Sequence, residues 1–332
     1  MKTVLSLLLI TFCTLSSLFA QEDSTKVIKE KYPYRFPIWG QKVMDRGIEF
    51  PKPAGISVSY IFNEMYLDIS EFNMSIGGIP MDDILNEETL GFKKTRAFTN
   101  GTNLRADLFV LPFMNVYGLF SLNKGGTEVS LQPTFGGTTL PEFGSKVEFD
   151  AVTFGGGMTL HYAIQKYFIS ADINISSSKS ALLDQNVGVV TSSYRLGRRF
   201  QFKNKTKLAF YIGAMYRNFI NHTGNSGRIT LGEALPGLEE SYTNWYDGLS
   251  GPQKKIMDQV EQRIADRLEG KGYSSVGEIP IAYYIQKDLI QKWTFQFGGN
   301  YELNDRWMIR GEYGVSNYSK FLMTGVNYRF GL

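Results

Sequence analysis

A two-residue hydrophobic period, repeated in long runs from residue 55 to residue 332, limits this chain more than any other feature. In 292–303, Trp293, Phe295, Phe297, Gly299, Tyr301 and Leu303 alternate with Thr294, Gln296, Gly298, Asn300 and Glu302. In 306–315, Trp307, Ile309, Gly311, Tyr313 and Val315 alternate with Met308, Arg310, Glu312 and Gly314. The stretch 321–332 sets Leu322, Thr324, Val326, Tyr328 and Phe330 against Phe321, Met323, Gly325, Asn327 and Arg329. Segments 104–110, 152–162, 167–176 and 208–217 repeat the pattern. Segment 187–198 does so less regularly, with Val190, Tyr194 and Leu196 as its outward face. These are strands with one apolar face. Runs of about 9 to 16 residues exceed the usual strand of about 5–6 and suit the roughly 9–11 residues that a tilted strand needs to cross a bilayer.

The connections fall into two classes. Short ones occur at 112–114, 164–166, 199–205 and 304–305, and longer ones at about 73–102, 136–147, 178–186 and 223–291. Short turns on one side and long loops on the other are the habit of outer-membrane barrels. The expected fold is therefore all-β: a single antiparallel transmembrane β-barrel of about ten strands. Two places leave twelve open. In 55–72 the apolar face switches from Ile56, Val58, Tyr60 and Phe62 to Met65, Leu67 and Ile69, as a bulge or a hairpin would require. In 115–135, Lys124-Gly125-Gly126 either bends one strand or turns between two.

Composition agrees. Aromatics make up 14% of the chain with 34 Gly and only 11 Pro, which suits a β-protein with close backbone contacts. The formal charge of +3 points to no nucleic-acid partner. Residues 1–20 read as a signal peptide, and the one cysteine, Cys13, lies inside it, so the exported chain has no disulfide. No later apolar run reaches the roughly 18 residues of a membrane helix. Residues 21–54, broken by Pro33, Pro37, Pro51 and Pro53, form an N-terminal segment that is periplasmic or enters the lumen, with a short helix over 38–46. The barrel then occupies 55–332. Its long insert, 223–291, holds a helix that starts at Pro252 and ends at Gly270. Ile256, Val260, Ile264 and Leu268 line one face of this helix, either packing on Tyr242, Trp245 and Tyr246 or meeting an external ligand or partner.

A charge facing lipid near the bilayer midplane costs about 2–4 kcal/mol for Arg or Lys. The charged residues of the polar faces, Arg105, Asp107, Asp172, Arg217, Glu302, Arg310, Glu312 and Arg329, are therefore expected to form a lumenal network. Arg329 is expected to meet Glu302 or Glu312. Ten strands lie near the eight whose interior side chains fill, so a largely filled, polar lumen is expected. Trp293, Trp307, Tyr328 and Phe330 belong at the membrane interface. Neither His161 nor His222 is followed two residues on by a serine, so no catalytic residue is assigned. With two histidines, no other cysteine and no calcium-loop pattern, no metal or cofactor is expected. Gly155-Gly156-Gly157 resembles a phosphate loop in composition only; strand glycines instead relieve curvature.

Residues 36–60 and 104–120, with the closing WTFQFGGNYELNDRWMIRGEYGV and GVNYRF, resemble a family of uncharacterised outer-membrane β-barrel proteins of Gram-negative bacteria. The resemblance implies a Gram-negative outer-membrane location, outer-membrane lipid around the barrel, and the barrel assembly machinery as a partner in biogenesis. It carries no catalytic residues. The functional expectation is a binding, structural or narrow-transport barrel. The alternatives are an outer-leaflet lipid-modifying enzyme and a substrate-selective channel. A closed barrel resists detergent until it is heated, so boiled and unboiled samples are expected to migrate differently on a gel. Identical migration would refute the barrel.

Overall fold

The computed structural model describes residues 31–220, 224–230, 238–269 and 279–332. The signal peptide with Cys13, and His222, lie outside the described residues. Residues Tyr34–Leu332 form one compact unit. Its strands are β1 (Ala54–Ile76), β2 (Phe92–Leu111), β3 (Met114–Leu131), β4 (Phe143–Ile164), β5 (Tyr167–Ser180), β6 (Val187–Gln201), β7 (Lys207–Phe219), β8 (Asn225–Thr230), β9 (Pro280–Leu289), β10 (Trp293–Glu302), β11 (Trp307–Ser316) and β12 (Ser319–Phe330).

Strand β1 closes the sheet. It pairs antiparallel with β12 from Ala54↔Phe330 to Met65↔Ser319, and with β2 from Ala54↔Leu108 to Leu67↔Thr95. Every other neighbour along β2–β3–β4–β5–β6–β7–β10–β11–β12 is antiparallel too, which gives a closed barrel of 10 strands. Closure matters because an unpaired peptide group in hydrocarbon costs several kcal/mol, and a closed sheet leaves no edge. Neither region that left twelve strands open is a hairpin. Strand β3 runs straight through Gly125 and Gly126, where the Phe98 ring lies over Gly126. Strand β1 is one strand of 23 residues, and its one irregularity, at Ile69/Glu71, lies above the face switch.

The apparent face switch in β1 has a different cause. Alternation continues unbroken: Ile56, Val58 and Tyr60 point out and are exposed, while Ser57, Ser59, Ile61, Asn63, Met65, Leu67 and Ile69 line the interior. What changes with height is the surroundings. On β4, Phe154 and Val152 face outward, and Asp150, Glu148 and Lys146 follow on the same side; Val147 and Phe149 face in. On β3, Leu122 is followed outward by Lys124. At the same height an outer row of ion pairs joins Lys320 to Glu64 at 3.3 Å, Glu64 to Arg96 at 3.1 Å and Arg96 to Glu128 at 2.6 Å. Below this row the strands are apolar outside; above it they are apolar inside. The row therefore marks one edge of the lipid-facing belt.

Interface aromatics cluster at both edges of the belt. Trp293 stacks on Tyr194 at 6.4 Å and contacts Tyr216 at 5.2 Å near the loop end. Trp307, Tyr328 and Phe330 form a run at 4.8 and 6.3 Å at the turn end. Between them Phe295, Phe297, Phe210, Ile212, Ile309 and Val326 face outward and are exposed.

The long loops are shorter than their sequence implies, because β2 begins at Phe92 and β4 at Phe143. What remains of them folds into a cap. The insert contributes β8, β9 and two helices rather than one, α2 (Leu238–Asp247) and α3 (Gly251–Leu268). Met257 and Val260 of α3 are buried with Met81, Ile84, Phe135, Leu140 and Leu249, and Ile256, Ile264, Leu268, Tyr242, Trp245 and Tyr246 pack around them. The helix stripe is thus covered by its own loop and by two others. Arg267 clamps Asp83 through two bonds of 2.7 and 2.6 Å, which holds that exposed carboxyl below its ordinary pKa. Above the short β11–β12 hairpin, β9 completes the wall by pairing with β1 from Leu67↔Leu289 to Ile76↔Ile281.

At the opposite end the N-terminal segment lies along the barrel rim. Its short helix, α1, spans Gly40–Met44. The Arg35 amide donates to Leu332 O at 2.7 Å and the Ile38 amide to Val110 O at 2.8 Å. Phe50 packs edge-on against Phe109 at 4.9 Å, and Glu49 meets Lys207 at 2.7 Å. The Lys207 ammonium holds the Glu49 carboxyl below its usual pKa. Leu140 is 1% exposed in the cap. Leu140→Asp is expected to cost several kcal/mol locally. It should speed proteolysis within 238–268 while the heat-modifiable gel shift persists; loss of both would show that cap and barrel fold as one unit.

Candidate functional site

The lumen is one cavity of about 2540 Å³, touched by residues from the turns at one end to the cap at the other. This corrects the expectation of a largely filled interior. The physical reason is visible in two tyrosine–glycine pairs. Tyr117 faces Gly157 across β3 and β4, and a Cβ at Gly157 would lie 2.6 Å from the ring. Tyr211 lies over Gly298 of β10 in the same way, at 2.7 Å. Glycine lets each ring lie against the wall instead of projecting into the centre, and so leaves the middle open.

Each flattened tyrosine aims its hydroxyl at a carboxylate. Tyr117 donates to Asp172 at 2.9 Å, and Thr159 donates to the other oxygen at 2.6 Å. Arg105 stacks on the Tyr117 ring at 3.5 Å and donates to Asn115 at 3.2 Å. Tyr211 donates to Glu312 at 2.7 Å, where Gln296 adds a bond of 2.6 Å, Arg310 one of 2.6 Å and Arg195 one of 2.9 Å. The Glu312 side chain is 0% exposed. A carboxylate so placed is stable only because four donors, two of them cationic, replace its water. A third cluster joins Asp107 to Asn115 at 2.6 Å and to Arg329 at 3.1 Å.

All eight charged residues singled out in the sequence face the cavity, but their partners differ from expectation. Arg310 and Glu312 do pair. Arg329 meets Asp107, not Glu302 or Glu312, because β12 is joined through β1 to β2; its Nε also donates to Lys52 O at 2.7 Å. Glu302 lies at the turn end, opposite Lys207 in the ladder. Arg217 finds only neutral partners among the described residues: Asn63 at 3.0 Å and the Met215 sulfur at 3.7 Å. Arg195 was not singled out in the sequence, although Tyr194 and Leu196 facing outward already placed it inside. Tyr117 and Tyr211 are not singled out by the sequence, since a tyrosine on an inward face does not by itself point to a carboxylate partner.

The carboxylate-centred network stops with height. Toward the loop end the cavity wall becomes mostly apolar, with Met65, Leu67, Ile69, Phe72, Phe149, Val189 and Ile285 beneath a roof of Trp245, Met257 and Val260, and with Thr95, Ser176, Ser178 and Lys287 among them. The lumen is therefore two-tiered: a hydrogen-bonded polar tier within the lipid belt and an apolar chamber above it. The expected polar lining is thus found in the lower tier, and the upper tier is mostly apolar.

No protein-family model and no curated protein matches the chain. Among solved structures, the β domain of the Bordetella autotransporter BrkA is similar at 8% identity and a TM-score of 0.41, covering 84% of this chain and 100% of that one. The outer membrane protein OprG of Pseudomonas aeruginosa is similar at 8% identity and a TM-score of 0.38, over 85% of this chain and 98% of that one. The translocator domain of the autotransporter NalP of Neisseria meningitidis is similar at 11% identity and a TM-score of 0.35, over 87% and 93%. These likenesses are distant. The membrane-barrel fold rests on the closed ladder and the apolar belt.

Glu312 provides the sharpest test of the polar tier. Glu312→Leu leaves two partly buried guanidinium groups without their anion and is expected to destabilise the barrel by up to about 3–5 kcal/mol in denaturant titration. Tyr211→Phe, which removes one bond, is expected to cost about 1–2 kcal/mol.

Proposed function

We propose that this protein is a barrel of the Gram-negative outer membrane that binds an apolar small molecule in its loop-end chamber and admits it toward the polar tier. In this reading the short turns and the N-terminal segment face the periplasm, and the cap faces outward. Outer-membrane lipid surrounds the belt, and the barrel assembly machinery inserts the chain. The observation that carries the reading is the inversion of strand sidedness. Above the lipid belt the outer face is charged and the inner face is apolar, so the chain keeps greasy side chains around an open space instead of closing it. A purely structural barrel gains nothing from an apolar cavity, since an unfilled lining forfeits dispersion contacts. An apolar site with a few placed polar groups is the usual form of a small-molecule pocket. The clusters around Asp172 and Glu312 oppose free flow of such a solute, which favours binding or gated passage over an open pore. On this account the protein binds and passes solute without transforming it.

The test uses purified barrel in neutral nanodiscs and the fluorescent apolar probe N-phenylnaphthylamine. Saturable binding with one site per barrel is expected, weakened about tenfold or more by Phe149→Asp, which places a carboxylate in the chamber wall. Binding no different from that of empty discs would overturn the proposal. Planar-bilayer recording is expected to show none of the large steady conductance of a general porin.

A further inference from the structure

Two cations line the loop-end chamber without an anionic partner among the described residues. Lys287 of β9 stands opposite Ile69 in the ladder, two residues from Ile285 on the same face, and points into the cavity. Its ammonium makes no hydrogen bond or ion pair with the described residues. Arg217 of β7 sits lower, at the chamber base, where among the described residues its guanidinium donates only to the Asn63 side-chain Oδ1 and the Met215 sulfur. The tier below differs in three of its four arginines; Arg105, the fourth, donates to the neutral Asn115 and Thr159. There Arg310 and Arg195 meet Glu312, and Arg329 meets Asp107.

Chemistry makes this asymmetry costly for an empty chamber. An ammonium on a mostly apolar wall gives up part of its hydration and recovers it best when an anion arrives. One carboxylate does line the chamber roof, Glu261, and the Tyr242 hydroxyl donates to it. An apolar space with an unpaired cation on its wall is complementary to a molecule that is itself divided: an apolar body ending in an acidic head. Building on the reading of the chamber as a binding site, we propose that its ligand is an amphipathic anion whose acidic head is taken by Lys287, with Arg217 adding positive potential from the base. The head chemistry that fits is a carboxylate, phosphate or sulfate. Each supplies acceptors for the three donors of an ammonium.

Equilibrium dialysis of radiolabelled octanoate and 1-octanol against the protein in phosphatidylcholine nanodiscs, with empty discs subtracted, tests the assignment. The two probes share a body and differ in the head. Wild-type protein is expected to prefer octanoate by about tenfold or more, the effect of one charge-assisted bond. Lys287→Met is expected to remove the preference while leaving 1-octanol binding within about twofold, and Lys287→Arg to retain it. Removing a cation that has no anionic partner among the described residues should not impair folding, and the heat-modifiable gel shift checks this. Octyl phosphate in place of octanoate distinguishes a lipid-phosphate head from a carboxylate by which binds more tightly. If the wild type binds octanoate and 1-octanol equally, or Lys287→Met keeps the preference, the acidic head is wrong while the apolar chamber stands. If neither probe binds, the chamber reading fails with it.

Discussion

Everything in this barrel depends on β1 being hydrogen-bonded along both edges. From Ala54 to Met65 each peptide group is shared between β12 on one side and β2 on the other. In hydrocarbon an open edge is not tolerated, so this double pairing fixes the strand number and the circumference. It also decides which residues meet across the seam. Arg329 reaches Asp107 because β1 brings the chain's last strand next but one to β2. Register and electrostatics are thus a single fact seen twice.

Within that frame the interior is built on two repeated units rather than on general filling. Each unit sets a tyrosine flat over a glycine of the neighbouring strand and gives its hydroxyl to a carboxylate of the lumen wall. Around Glu312 the surplus of donors keeps the carboxylate from being stranded. The centre is left open because side chains that would have filled it are bound to the wall. A ten-stranded barrel close to the size that fills completely can therefore retain a large cavity.

Much of the fold could be read from the sequence, and the reasons for the misreadings are physical. Period two gave the outward faces of β10, β11 and β12 because lipid demands apolar side chains over a full crossing. The stripe Ile256, Val260, Ile264 and Leu268 gave α3 because a helix buries one face. In β1 the same rule misled. It equates apolar with outward, and Met65, Leu67 and Ile69 are apolar and inward because the surroundings on the two sides of the wall exchange polarity there. The partners of Arg329 and Arg195 could not be read, since a sequence fixes the face of a residue but not the strand opposite it. The cap was legible only as loops, because its core joins Met81, Leu140 and Val260 from three separate segments.

The inversion of sidedness also acts as a depth gauge. Glu64, Lys124 and Asp150 lie one outward position beyond Phe62, Leu122 and Val152 on β1, β3 and β4. Sliding the barrel inward by a single two-residue step would carry all three charges into hydrocarbon, where each costs up to about 2–4 kcal/mol depending on depth. Sliding it the other way would lift the aromatic run of Trp307, Tyr328 and Phe330 off its interface. The molecule is thereby anchored in height as well as in register. Its chamber is held at a constant distance above the bilayer edge, with Arg217 level with that edge and Lys287 standing clear of it.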